Sequence, residues 1–74
     1  MTRKWWVSDI DRADGTKEAV GVMAYGLDEA VYRALEKAQG KPGDRMRIFL
    51  QGYRREKVME IDQTGKPREV SGSE

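Results

Sequence analysis

The chain has no cysteine and no histidine among its 74 residues. Disulfide staples, thiol redox chemistry, Cys/His zinc or haem ligation and imidazole acid–base catalysis are excluded together. A long apolar run is also missing: nothing approaches the ~20 residues of a membrane helix, and the N-terminus carries no apolar core of a secretory signal. Cytoplasmic residence is therefore the expectation, without a membrane partner. Charge of one sign is missing too, since 14 Lys and Arg against 13 Asp and Glu leave a net +1. That balance argues against a histone-like wrapping protein. Length is the last shortage. One small core fits, hiding roughly 60% of the unfolded surface, and a typical substrate pocket of about 300–1,000 Å³ has little room. The expectation is a binding module, not an enzyme, with no cofactor and no metal.

What is present is distributed unevenly. Residues 41–57 hold Lys41, Arg45, Arg47, Arg54, Arg55 and Lys57 against Asp44 and Glu56, a local net charge of +4. Residues 58–74 hold Lys66 and Arg68 against Glu60, Asp62, Glu69 and Glu74, a local −2. The near-neutral total conceals a basic stretch followed by an acidic tail.

Local signals predict the order ββαββ with an optional fifth, edge strand. Residues 3–11 have the aromatic and β-branched content of a strand, Asp14-Gly15 marks a tight turn, and residues 17–25 return as the second strand. Leu27, Ala30, Val31, Ala34, Leu35 and Ala38 recur at steps of three and four, an amphipathic helix. Gly26 is its expected N-cap, Asp28 and Glu29 suit the positive end of its dipole, and Gly40 followed by Pro42 is expected to stop it. Residues 45–51 alternate cleanly as a third strand, 57–62 form a fourth with Met59 and Ile61 inward, and 68–70 form the optional fifth. The fold class is thus α+β: one helix packed on one face of a mostly antiparallel four- to five-stranded sheet. Residues 1–70 make a single small domain, and 71–74 are expected to fray.

One helix covers only one sheet face. That face is expected to take Val20, Val22, Ile48, Leu50, Met59, Ile61 and one of the Trp5-Trp6 pair, because neighbours along a strand point oppositely. The other tryptophan joins Met23, Tyr25, Phe49, Arg47 and Gln51 on the open face. Three readings of that face stay open: a half-wet surface roofed by Arg stems or a homodimer interface, a partner-protein interface, and a base-stacking platform for nucleic acid. Arg47 to Tyr53 does not match the ribonucleoprotein motif of RNA-recognition domains.

Two ligand motifs fail on spacing. Counting a calcium loop from Asp9 puts Ala13 at position 5, Gly15 at 7 and Val20 at 12, where an EF-hand needs a ligand at 5, Gly at 6 and Glu at 12. Gly40-Lys41-Pro42-Gly43 lacks the spacing and the Ser/Thr of a phosphate loop, and its proline removes an amide donor.

Three short segments, Gly26-Leu27-Asp28-Glu29-Ala30 at the helix start, Met46-Arg47-Ile48 after the helix and Gly65-Lys66-Pro67-Arg68 in the last hairpin, resemble small phage-encoded anti-CRISPR proteins of the type I-F inhibitor group, which share the ββαββ plan. The resemblance implies an inhibitor that pairs basic side chains with a Cas backbone subunit of the crRNA-guided surveillance complex and blocks target DNA. By position it nominates Arg33, Lys37, Lys41 and Arg45. The helix departs from that family in carrying Asp28, Glu29 and Glu36, with Val31 and Tyr32 at positions the family fills with positive charge.

The combined expectation is a non-enzymatic phage or mobile-element protein that binds a protein or ribonucleoprotein partner. The expected contacts are Arg33, Lys37, Lys41, Arg45 and Arg47, with Tyr53, Arg54 and Arg55 as a second patch. A sheet-face nucleic-acid binder is the alternative, and a homodimer through the open face a third. If the phage reading holds, the setting is the cytoplasm of an infected bacterium.

Overall fold

The computed structural model describes residues 2–53 and 55–70, so Arg54 and the expected fraying of 71–74 lie outside the described residues. β1 (Lys4–Asp11) pairs antiparallel with β2 (Lys17–Ala24) through the turn at Gly15. Helix α1 (Leu27–Ala38) follows, then β3 (Arg45–Leu50), β4 (Glu56–Ile61) and β5 (Pro67–Glu69). The sheet is antiparallel throughout, in the order β2-β1-β3-β4-β5. β2 and β3 both oppose β1, so they run parallel to one another. The helix is therefore a crossover, and β1, first in sequence, occupies the gap it leaves.

Strand alternation sets the two faces. Trp6, Ser8 and Ile10 of β1 stand beside Val22, Val20 and Glu18 of β2 and beside Leu50, Ile48 and Met46 of β3, all on the helix side. Ile10, Met46 and Ile48 are fully buried there under Ala30, Val31, Ala34 and Ala38. Three alanines at steps of four let the helix backbone approach the sheet closely. Trp6 is the tryptophan that joins the core, half-buried, its indole N–H donating to the Ala24 carbonyl at 3.1 Å. Ser8 is buried among these apolar residues, and its hydroxyl has no partner.

Both helix ends are closed by backbone-directed contacts. Gly26 is the N-cap in extended conformation and offers no side-chain bond. Glu29 instead reaches back past the N-cap to accept the Tyr25 N–H at 2.8 Å. That bond, with Arg33 beside it, holds the Glu29 carboxyl below the usual range. At the other end the helix stops before Gly40 and Pro42, as expected; Gln39 takes the left-handed turn, at φ 55°, and the Gly40 N–H bonds the Leu35 carbonyl in a Schellman closure. A Cβ at 40 would run into the side-chain ends of Leu35 and Ile61. Among the described residues no helix is long and apolar enough to cross a membrane.

Candidate binding surfaces on the open face and the β2 edge

The register grades the uncovered face from charge to aromatic rings. At the end where the β1–β2 turn lies, one row crosses all five strands as Lys17, Asp11, Arg45, Glu60 and Arg68, alternating in sign. Arg45 bonds Glu60 at 3.3 Å, and Arg68 approaches the same carboxylate at 3.8 Å. The next row holds Ala19, Asp9, Arg47 and Val58, with Arg47 reaching Asp11 at 3.8 Å. Gly21, Val7, Phe49 and Glu56 follow, then Met23 beside Trp5. Tyr25 and Gln51, expected on this face, lie just past the strand ends.

Behind the charged end sits a cluster that sequence reasoning did not single out. Asp44 is buried, and its carboxylate accepts the Ala13 and Lys41 N–H groups at 3.0 and 2.9 Å and the Arg12 guanidinium at 2.9 Å. Burial pushes its carboxyl up, but the Lys41 and Ala13 amides and then Arg12 outweigh this and hold it below the usual range. Arg12 also donates to the Ala38 carbonyl and, with two bonds, to Glu18. Glu18 and then Asp44 raise the guanidinium pKa further. One arginine thereby ties the first turn, the helix C-terminus and the loop into β3. The hollow here, about 380 Å³, is lined by groups already bonded to one another. No sequence pattern marks the pair, whose members lie 32 residues apart.

Asp14, part of the failed calcium comparison, has a local role: it accepts the Thr16 amide at 2.9 Å and hydroxyl at 2.7 Å, which lower its pKa. Asp62 does the same with Thr64 in the last hairpin. Among the described residues no group of three acidic side chains is placed to hold a metal.

The expected contact residues occupy three separate regions. Arg33 and Lys37 lie on the exposed helix flank beside β2, Arg33 bonding Glu29 at 2.9 Å and Lys37 donating to the Gly21 carbonyl at 2.9 Å. Lys41 is exposed in the loop over the Arg12–Asp44 cluster, while Arg45 and Arg47 are on the open face with acidic neighbours. Tyr53 and Arg55 are exposed at the β3–β4 turn, at the far end of β3 from Arg45.

The structure joins Arg33 and Lys37 to residues not foreseen with them. Arg3, Trp5, Gly21, Met23, Arg33, Glu36 and Lys37 border an open groove of about 520 Å³ along β2. β2 is an edge of the sheet. The Gly21 carbonyl faces outward to Lys37, and alternation gives Ala19 and Met23 the same outward-facing backbone.

The opposite end of the sheet gathers exposed rings. Trp5 is 41% exposed, Met23 44%, Tyr25 51% and Tyr53 63%. The Trp5 ring lies over Gly21, where any Cβ would collide with it, so glycine at 21 makes the seat for the indole. Arg3 stands 5.2 Å from the centre of the Tyr25 ring. Lys4, Trp5, Leu50, Gln51 and Tyr53 border a shallow cleft of about 310 Å³. Among the described residues, Arg3, Lys4 and Arg55 make no ion pair, in contrast to the arginines of the charged rows. The sequence signal for this site was the aromatic pair Trp5-Trp6 followed by the turn at Tyr53. No protein-family model matches the chain, and neither the curated proteins nor the solved structures contain a match to it.

Proposed function

We propose that the chain is a non-enzymatic interaction protein that docks on a protein or ribonucleoprotein partner along the β2 edge. The observation that supports this is the groove itself, which sets three cations, Arg3, Arg33 and Lys37, with Glu36, beside the open edge of β2 and the apolar surface of Trp5 and Met23. An extended acidic segment of a partner would add main-chain bonds at the edge and charge pairing at the helix flank. Lys37 now occupies the Gly21 carbonyl and would give it up on docking, which keeps the edge from pairing indiscriminately.

The resemblance to type I-F anti-CRISPR proteins makes a crRNA-guided Cas surveillance complex the first partner to test, with loss of target-DNA binding as the consequence. Arg33 and Lys37 belong both to the groove and to the set that the resemblance nominates. Arg45 and Arg47 contribute less in this reading, because they lie on the open sheet face, away from the groove along β2. A pull-down of type I complexes, followed by DNA-binding competition, tests the proposal. The wild-type chain is retained, and the Arg33→Glu/Lys37→Glu variant binds about tenfold or more weakly, a loss of about 1.4 kcal/mol or more. No association at micromolar concentration with any type I complex, or retention unchanged in the variant, would overturn it.

A further inference from the structure

We infer that the end of the sheet where β1 begins and β3 turns toward β4 binds single-stranded nucleic acid, with Trp5 and Tyr53 stacking bases and Arg3, Lys4 and Arg55 meeting phosphates. This inference does not depend on the protein-docking proposal.

Three observations converge on that chemistry. First, the exposed apolar surface here is mostly aromatic, and the Trp5 ring packs against Gly21 while remaining 41% exposed. A ring held from below gives a base a platform without the entropy cost of ordering it first. Second, Trp5 and Tyr53 border one cleft, with Lys4, Leu50 and Gln51, of about 310 Å³ and open to solvent. Third, Arg3, Lys4 and Arg55 are held in no ion pair among the described residues, Glu29 feeling Arg3 only at a distance, whereas Arg45, Arg47 and Arg68 are all paired. Cations left beside open rings suit an alternating polymer of phosphates and bases. A duplex is disfavoured because its bases are stacked on one another and present no faces to these rings. A protein partner would need a desolvated apolar centre, and the cleft offers a polar-edged ring pair bordered by Lys4 and Gln51 instead.

The test is a fluorescence titration of the full chain with oligo-dT and oligo-rU of about twenty nucleotides, against a duplex of the same length. The single strands quench the tryptophan emission, while the duplex binds more weakly. Three phosphate contacts give a slope of log K against log salt of about −2. The two single strands report whether the sugar matters; binding by either one supports the inference. Tyr53 is exposed, so Tyr53→Ala leaves the fold intact by circular dichroism and weakens binding by roughly 5- to 150-fold, the loss of one stacked base. Arg55→Ala flattens the salt slope by about 0.7. Arg68→Ala, on the ion-paired end, changes neither. Three results would overturn the inference: no quenching or mobility shift with either strand at low salt, equal affinity for duplex, or Tyr53→Ala weakening a protein partner's binding while the oligonucleotides leave the emission unchanged. The Arg33→Glu/Lys37→Glu variant separates the two proposals, since it weakens docking along β2 about tenfold or more and retains Tyr53-dependent binding of single strands.

Discussion

The two ends of the open sheet face share strands β1 to β4, with β5 at one end only, and treat their charged residues in opposite ways. At the end near the β1–β2 turn, Asp11, Arg45, Glu60 and Arg68 neutralise one another across strands, and the Arg12–Asp44 cluster closes the corner behind them. At the other end, Arg3, Lys4 and Arg55 stand beside Trp5, Tyr25 and Tyr53 without ion pairs among the described residues. A surface whose charges are mutually satisfied offers little to a partner, because each new contact first breaks an existing one. The difference separates a structural end from a recognition end within one sheet.

The strongest way to break the comparison is at Asp44. Asp44→Ala leaves the Arg12 guanidinium and two amides without their acceptor and costs about 2–3 kcal/mol. For a chain of this size that corresponds to a fall in Tm of roughly 10–20 °C, read by thermal unfolding. The same residue carries a pH signature. Its folded pKa is depressed, so its contribution is complete above the ordinary carboxylate pKa and is lost as pH falls through the lower folded value. Glu29, Asp14 and Asp62 shift in the same direction. With no histidine in the chain, Tm is flat from about pH 5 to pH 8 and falls below about pH 4, less steeply in Asp44→Ala.

Gly21→Val acts on the recognition end. The new side chain displaces the Trp5 ring, costing about 1–2 kcal/mol by crowding. It also shifts part of the tryptophan emission to the red, with half-buried Trp6 as the unchanged reference. An unshifted spectrum would mean that Trp5 is not seated on Gly21. Ser8→Ala, midway between the ends on the helix side, removes a buried hydroxyl without a partner. It stabilises the chain by about 1 kcal/mol, raising Tm by roughly 4–8 °C. The smallest effect belongs to the charged row. Arg45→Ala changes stability by less than about 1 kcal/mol, because the pair is solvent-exposed, and the change shrinks in high salt.

Some of this was legible from residue order. The helix agrees with its expected bounds from Leu27 to Ala38, and the Asp-Gly hairpin and the two-faced third strand follow from spacing alone. Those features are local: side-chain period and turn chemistry act within a few residues. The helix end was legible as a stop at Gly40 and Pro42, but not in its detail: Gln39 takes the left-handed turn, and Gly40 leaves room for the Leu35 and Ile61 side chains. The expected basic patch from Arg33 to Arg47 followed from the resemblance and from the local charge of residues 41–57. The fold divides it, because Arg33 and Lys37 flank β2 while Arg45 and Arg47 lie under the opposite sheet face.

The sequence by itself determined the kind of object: a chain without Cys or His, with one amphipathic helix and strands of period two, has the makings of a small α+β fold whose remaining polar chemistry is that of Arg, Lys, Asp, Glu and Tyr. Only the tertiary structure decided which strand lies in the gap of the crossover, which tryptophan is buried, and which cations have acidic partners. Those outcomes rest on contacts between residues far apart in the chain, such as Arg12 with Asp44 and Arg45 with Glu60. Charge pairing depends on distance in space, and sheet order alone sets that distance.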